Sequence, residues 1–167
     1  MLRIFAFLTV LFVTTLAIAH EDNSTTEELS MMPEWQLYNE AGQLVKSSDF
    51  LGKPLVIHFW ATWCPYCKKL QPGLDKLYLK YQADGLQMIA VSLREDEGAT
   101  PQKELDSRGI TFKTLINGDD VGKNLFSVSG TPTTVFVSRA GHVIGSTSIS
   151  EADDPRLEIA VKYIVEN

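Results

Sequence analysis

The chain has 167 residues, 44% of them apolar and 22% charged, which suits one compact domain and excludes wholesale disorder. Its net charge is −6, and without a dense Lys/Arg block it is a poor partner for nucleic acid or an anionic membrane. Two cysteines exclude a multi-disulfide scaffold and a four-cysteine zinc site, and no fixed-period repeat marks a solenoid or propeller.

Met1-Leu2-Arg3 is a short basic start to an apolar run from Ile4 to Ile18 that ends in Ala17-Ile18-Ala19, the small-x-small pattern of signal peptidase sites. At about 15 residues the run falls short of the roughly 20 needed to span a bilayer. Residues 1–19 therefore read as a signal peptide cleaved after Ala19, which places the protein in the periplasm. The alternative is an uncleaved anchor holding it to the inner membrane, facing the periplasm. Residues 20–34 are polar, acidic and aperiodic, the composition of a flexible linker. The domain proper is expected over residues 35–167.

Trp35–Asn39 and Gln43–Val45 flank Glu40-Ala41-Gly42, a hairpin signal. Ser47 to Gly52 reads as a capped single turn closed by glycine. Leu55–Trp60 is apolar on both faces, as a central strand covered on both sides must be. A helix follows, its inner face marked by Leu70, Leu74, Leu77, Tyr78 and Tyr81, with Pro65 at its first position and Pro72 expected to kink it. Leu86–Ser92 is a second buried strand. Arg94–Ala99 reads as a solvated charged loop, and Thr100-Pro101 opens a short helix ending at Arg108-Gly109. Phe112–Ile116 is extended, and Val121–Phe126 is a helical turn or two. Thr133–Val137 and Val143–Gly145 are strands joined through Arg139–His142. Asp154-Pro155 starts a last helix with Leu157, Ala160, Val161, Ile164 and Val165 on one stripe. Strands alternating with helices through the middle imply a mixed sheet with helices on both faces.

Cys64-Pro65-Tyr66-Cys67 carries the chemistry. Cysteines at i and i+3 on the first turn of a helix can face each other and close a disulfide. The first also sits where backbone N–H groups and the helix dipole stabilise a thiolate. Such a thiolate attacks at neutral pH, and the second thiol resolves the mixed disulfide. Trp60 and Trp63 offer flat apolar surface beside Cys64 for a docking polypeptide. A purely stabilising disulfide and half a metal site are the bland alternatives. A four-residue loop stabilises little, and only His20, His58 and His142 could add soft ligands.

Phe59-Trp-Ala-Thr-Trp-Cys-Pro-Tyr-Cys-Lys68 with Pro72, and Gly130-Thr-Pro-Thr-Thr134 further on, resembles the thioredoxin superfamily, and within it the exported TlpA/ResA-type thiol–disulfide oxidoreductases. The likeness covers about residues 35 to 165. It implies a thioredoxin fold with an added N-terminal β-hairpin and a cis Thr131–Pro132 bond. It also implies a loop laid against the cysteines, with the Thr131 backbone pairing to a substrate chain. Pro65 and Tyr66 shape the site between the cysteines. The chain departs from the pattern at two places: His58 stands where a carboxylate or asparagine is usual, and Leu70 where some ResA-type members carry glutamate.

The resemblance implies a monomeric periplasmic reductase of protein disulfides, serving cytochrome c maturation or copper-site assembly. It needs no cofactor beyond the Cys64–Cys67 pair. A membrane-bound donor of the DsbD/CcdA type keeps it reduced. An oxidase or isomerase is the second reading, although the better-known ones carry a large helical insertion. A third, of another class, is a thiol chaperone holding Cu(I) between the two sulfurs. Strand alternation puts Val56, His58 and Trp60 on one face and Leu55, Ile57 and Phe59 on the other. His58 is then either a core histidine satisfied by a backbone carbonyl or, beneath Cys67, the acceptor of that thiol's proton. Either way burial should depress its pKa. Lys68 and Lys69 read as helix surface, and His142 as a turn residue.

Overall fold

The computed structural model describes residues 29–167; the signal peptide and most of the linker expected from the sequence lie outside them. Among the described residues, seven strands and three α-helices run in the order β1 (Gln36–Asn39), β2 (Leu44–Lys46), β3 (Leu55–Trp60), α1 (Pro65–Tyr81), β4 (Gln87–Ser92), α2 (Pro101–Ser107), β5 (Lys113–Ile116), β6 (Thr133–Val137), β7 (Val143–Thr147) and α3 (Pro155–Glu166). They form one mixed sheet ordered β2-β1-β5-β4-β3-β6-β7. β3, β4 and β5 are parallel, and β6, β7, β1 and β2 each run antiparallel to the neighbour they join. This is the expected thioredoxin fold, and β1–β2 is the expected added hairpin.

Every residue of β3 is buried, and alternation splits them between two cores. Val56 and Trp60 join Leu70, Leu74 and Leu77 of α1, Leu105 of α2, and Leu157, Val161 and Ile164 of α3. Leu55, Ile57 and Phe59 join Ile89, Val91, Leu115, Val135 and Val137, and the hairpin residues Trp35 and Leu37. All three α-helices contribute to the first core. The second face is covered by short pieces instead: a 3-10 turn over Ser47–Phe50, a five-residue π turn over Val121–Leu125, and Phe126 and Val128 beyond it. Gly118 and Gly122 let that π turn lie close, since a Cβ at Gly118 would sit 2.0 Å from Val91.

The packed chain starts earlier than Trp35. Met31 bridges His142, the Met32 N–H donates to the Gly141 carbonyl, and the Val143 N–H donates to the Ser30 carbonyl, both at 2.8 Å. Polar composition hid this pairing, because backbone groups carry it and composition does not report them. Residues 30–32, assigned to the linker from sequence, therefore belong to the sheet margin.

α1 runs unbroken through Pro72 to Tyr81. Pro72 cannot donate to the Lys68 carbonyl one turn back. Arg108, just beyond α2, supplies the missing donor: its Nη1 lies 3.4 Å from that carbonyl. After α1 the chain reverses at Gly85, at φ +93°, where glycine alone is unstrained.

Candidate active site

The carboxyl ends of β3, β4 and β5 and the amino end of β6 meet at one edge of the sheet, since Trp60 pairs with Ser92 and Phe59 with Thr133. Loops at the carboxyl ends of parallel strands are where such sheets place their sites. Here those loops carry the Cys64–Cys67 motif, residues 93–99, residues 117–120 and the Gly130–Pro132 turn.

Cys64 caps α1 and Pro65 is its first residue. Proline costs nothing there because the first helical N–H has no intrahelical acceptor. Cys64 and Cys67 form a disulfide, with Cα atoms 5.3 Å apart. The Cys64 sulfur accepts the Cys67 N–H at 3.2 Å, so it sits among the unpaired amides that open the helix. Cys67 is fully buried. Cys64 is 2% accessible in this disulfide form, a thin opening on an otherwise covered pair.

Trp63 and Tyr66 flank the pair and are 49% and 62% exposed. Trp60 is different. The sequence placed it on the docking surface, but it is wholly buried, and its Nε1 donates to Thr114 Oγ1 at 3.0 Å. As the last residue of β3 it completes the alternation of the inner face, and a strand facing α1 cannot also present that side chain to solvent. The Thr131–Pro132 bond is cis; Thr131 is half-buried and Pro132 buried.

His58 is also wholly buried on the α1 side, yet among the described residues no backbone carbonyl satisfies it. Its Nδ1 lies 3.3 Å from Thr134 Oγ1, its cross-strand neighbour on β6, and its Nε2 lies 3.5 Å from Gln71 Nε2. Arg108 fixes the protons. The guanidinium has only donors, and its Nη2 donates to Gln71 Oε1, which turns the Gln71 amide N–H towards His58. His58 Nε2 must then accept, and Nδ1 carries the proton and donates to Thr134. Burial, with the nearby Arg108 charge second, lowers the His58 pKa to about 3, so the ring is neutral.

The charged segment after β4 is solvated at most of its positions, as its composition suggested, but two of its residues also hold the motif. Glu95 accepts the Thr62 N–H and hydroxyl, and the Arg94 carbonyl accepts the Trp63 Nε1–H at 2.8 Å. Both contacts reach the motif from about 30 residues away. The parallel register of β3 and β4 was the signal that could have found them, because it brings residues just past Trp60 level with those just past Ser92. Lys68 and Lys69, read as plain helix surface, pair with Glu104 and Glu151 at 2.9 and 2.6 Å.

Residues 30–146 match the model of the AhpC/TSA family. The chain belongs to that family. Among curated members, it is 31% identical over 114 residues to the thiol-disulfide oxidoreductase ResA of Geobacillus kaustophilus, covering 68% of this chain and 65% of that one. With the protein of that name from Bacillus subtilis it shares 30% over 117 residues, 70% and 65%. The chain thus spans just under two thirds of these relatives. A thiol:disulfide interchange protein, DsbE, of Chlorobium tepidum superposes with a TM-score of 0.73 at 28% identity, over 82% of this chain and 96% of that one. The AhpC/TSA chain described here shares its fold with the last of these over most of its length.

Proposed function

We propose that this protein is a periplasmic thiol–disulfide oxidoreductase that works as a reductase of oxidised protein thiols. The observation that carries the reading is the cysteine pair itself: a disulfide at the first turn of α1, with the Cys64 sulfur on the Cys67 N–H. The names borne by its relatives support the reaction class. The reducing direction is supported by the short connections of the fold. The segment from β4 to β5 holds only the seven-residue α2, with no room for the helical insertion of better-known oxidases and isomerases.

In the reduced protein, the Cys64 thiolate attacks one sulfur of a substrate disulfide. That S–S bond breaks, and the other substrate sulfur leaves as a thiolate and takes a proton. Cys67 then loses its proton and attacks the Cys64 sulfur, releasing the second substrate thiol and forming the Cys64–Cys67 disulfide. Two electrons pass to the substrate, and a donor dithiol at the membrane, of the DsbD/CcdA type, returns them. Exposed Trp63 and Tyr66 and the Thr131 backbone give the substrate chain its docking surface. His58 serves as a neutral anchor rather than as the acceptor of the Cys67 proton. A proton on Nε2 would face the Gln71 amide donor and put a buried cation beside the Arg108 guanidinium.

Trapping tests the assignment. Cys67→Ser should accumulate mixed disulfides with exported proteins, because Cys64 still attacks and nothing resolves the product, while Cys64→Ser should accumulate none. Equal trapping by both variants would overturn it.

A further inference from the structure

The turn that delivers Cys64 is held from outside itself. The Cys64 N–H donates to the Ala61 carbonyl at 3.1 Å, with Thr62 and Trp63 at the turn's centre. The Glu95 carboxylate takes the Thr62 N–H at 3.0 and 3.1 Å and the Thr62 hydroxyl at 2.5 Å. Next to it, the Arg94 carbonyl takes the Trp63 Nε1–H. Arg94 lies at φ +49°, a conformation that side-chain-bearing residues seldom adopt. Its own N–H is held by the Asp119 carboxylate at 3.1 and 3.3 Å. Asp119 thus fixes the segment after β4, and that segment fixes the turn before α1. A turn that merely joined β3 to α1 on a half-exposed rim would not require a carboxylate spent on two of its donors.

We propose that Glu95 is a positioning residue for Cys64, its carboxylate clamping Thr62 so that the Cys64 sulfur stays at the helix start against the Cys67 N–H. This deepens the function given above and rests on Cys64 being the attacking thiol. A clamp and a bare charge have opposite signatures. A negative charge near the turn disfavours the thiolate, so removing it lowers the Cys64 pKa. A clamp keeps the sulfur where amides stabilise the thiolate, so removing it raises that pKa. Lys68, the next charge along α1, is tied to Glu104 and stays constant in the comparison.

The experiment is alkylation of Cys64 by iodoacetamide against pH in the reduced full-length protein, read by mass, with insulin reduction measured alongside. Glu95→Ala, which leaves Thr62 no acceptor, should raise the Cys64 pKa by about half a unit, about a threefold fall in the acid dissociation constant of the thiol. Insulin turnover should fall comparably with KM unchanged, and Glu95→Gln, which keeps one acceptor oxygen, should lie between. A pKa that falls in both variants, or does not move, overturns the proposal. If Glu95→Ala fails to fold, Thr62→Val decides: it removes one clamped donor and no charge, so the clamp raises the pKa and a charge effect leaves it still. Failure of the underlying reading shows separately, as a Cys67→Ser protein that traps nothing although its Cys64 pKa still answers to Glu95.

Discussion

Pro72 has no N–H to give, so the Lys68 carbonyl loses its helical partner, and Arg108 reaches across from α2 to replace it. The same guanidinium orients Gln71 and sits 6.0 Å from the centre of the Trp60 ring. Through Gln71 it sets the tautomer of His58. One cation therefore accounts for an unbroken helix and for a buried, neutral histidine. The pH dependence follows with a definite sign. The unfolded chain binds a proton at His58 near pH 6.5, and the folded chain refuses it until about pH 3. Stability attributable to this residue is thus complete above pH 6.5 and declines as pH falls, by up to about 1.4 kcal/mol per unit for a single proton. Asp154 and Glu158, held near pH 2 by Arg156 and by Lys80 with Tyr81, act only below about 4.5 and leave the window from 6.5 to 4.5 to His58. Denaturant titrations of His58→Asn should show a flatter acid loss across that window. Resolution of the mixed disulfide should slow by less than about threefold. A tenfold slowing would return His58 to the role of proton acceptor.

Among the elements, the strands and helices were legible because their signals are local. Alternation assigned the five apolar residues of β3 to the right core, and the inner stripe of α1 was read from its period. Trp60 failed for an instructive reason: its nearness to the cysteines suggested docking, although its own strand parity already pointed it inward. The four-residue and five-residue turns on the second face of the sheet were read too, the first from its capped start and closing glycine and the second as a helical turn or two. Gly73 is a position that periodicity could not interpret. A Cβ there would lie 2.0 Å from the Ala152 carbonyl oxygen, so α1 packs on the loop before α3 only because the side chain is missing. Gly73→Ala should therefore lower stability by about 2 kcal/mol or more despite alanine's better helix propensity. Gly145→Ala, with open space around it, should stay within about 0.5 kcal/mol. Urea midpoints of the two variants make the comparison, and equal midpoints would refute the close approach.

Across the whole molecule, the site gathers groups far apart in the chain: Cys64, Glu95, Asp119 and Pro132 all stand at the edge where the three parallel strands end. The cysteine motif and the Gly130–Pro132 turn were visible in sequence because each is a contiguous pattern. The brace behind them was not. Its contacts span 33 residues for Thr62 with Glu95 and 40 for Lys68 with Arg108, and each depends on the sheet order β5-β4-β3-β6, which no local pattern encodes. What the assembled edge does is a question of electron flow, and the reduction potential of the Cys64–Cys67 couple answers it most directly. Equilibration of the full-length protein with defined glutathione or dithiothreitol buffers, read by mass after thiol alkylation, gives that value. A reductase requires a potential below about −200 mV, towards the roughly −270 mV of thioredoxin. A value near about −120 mV, typical of a strong disulfide donor, would contradict the account.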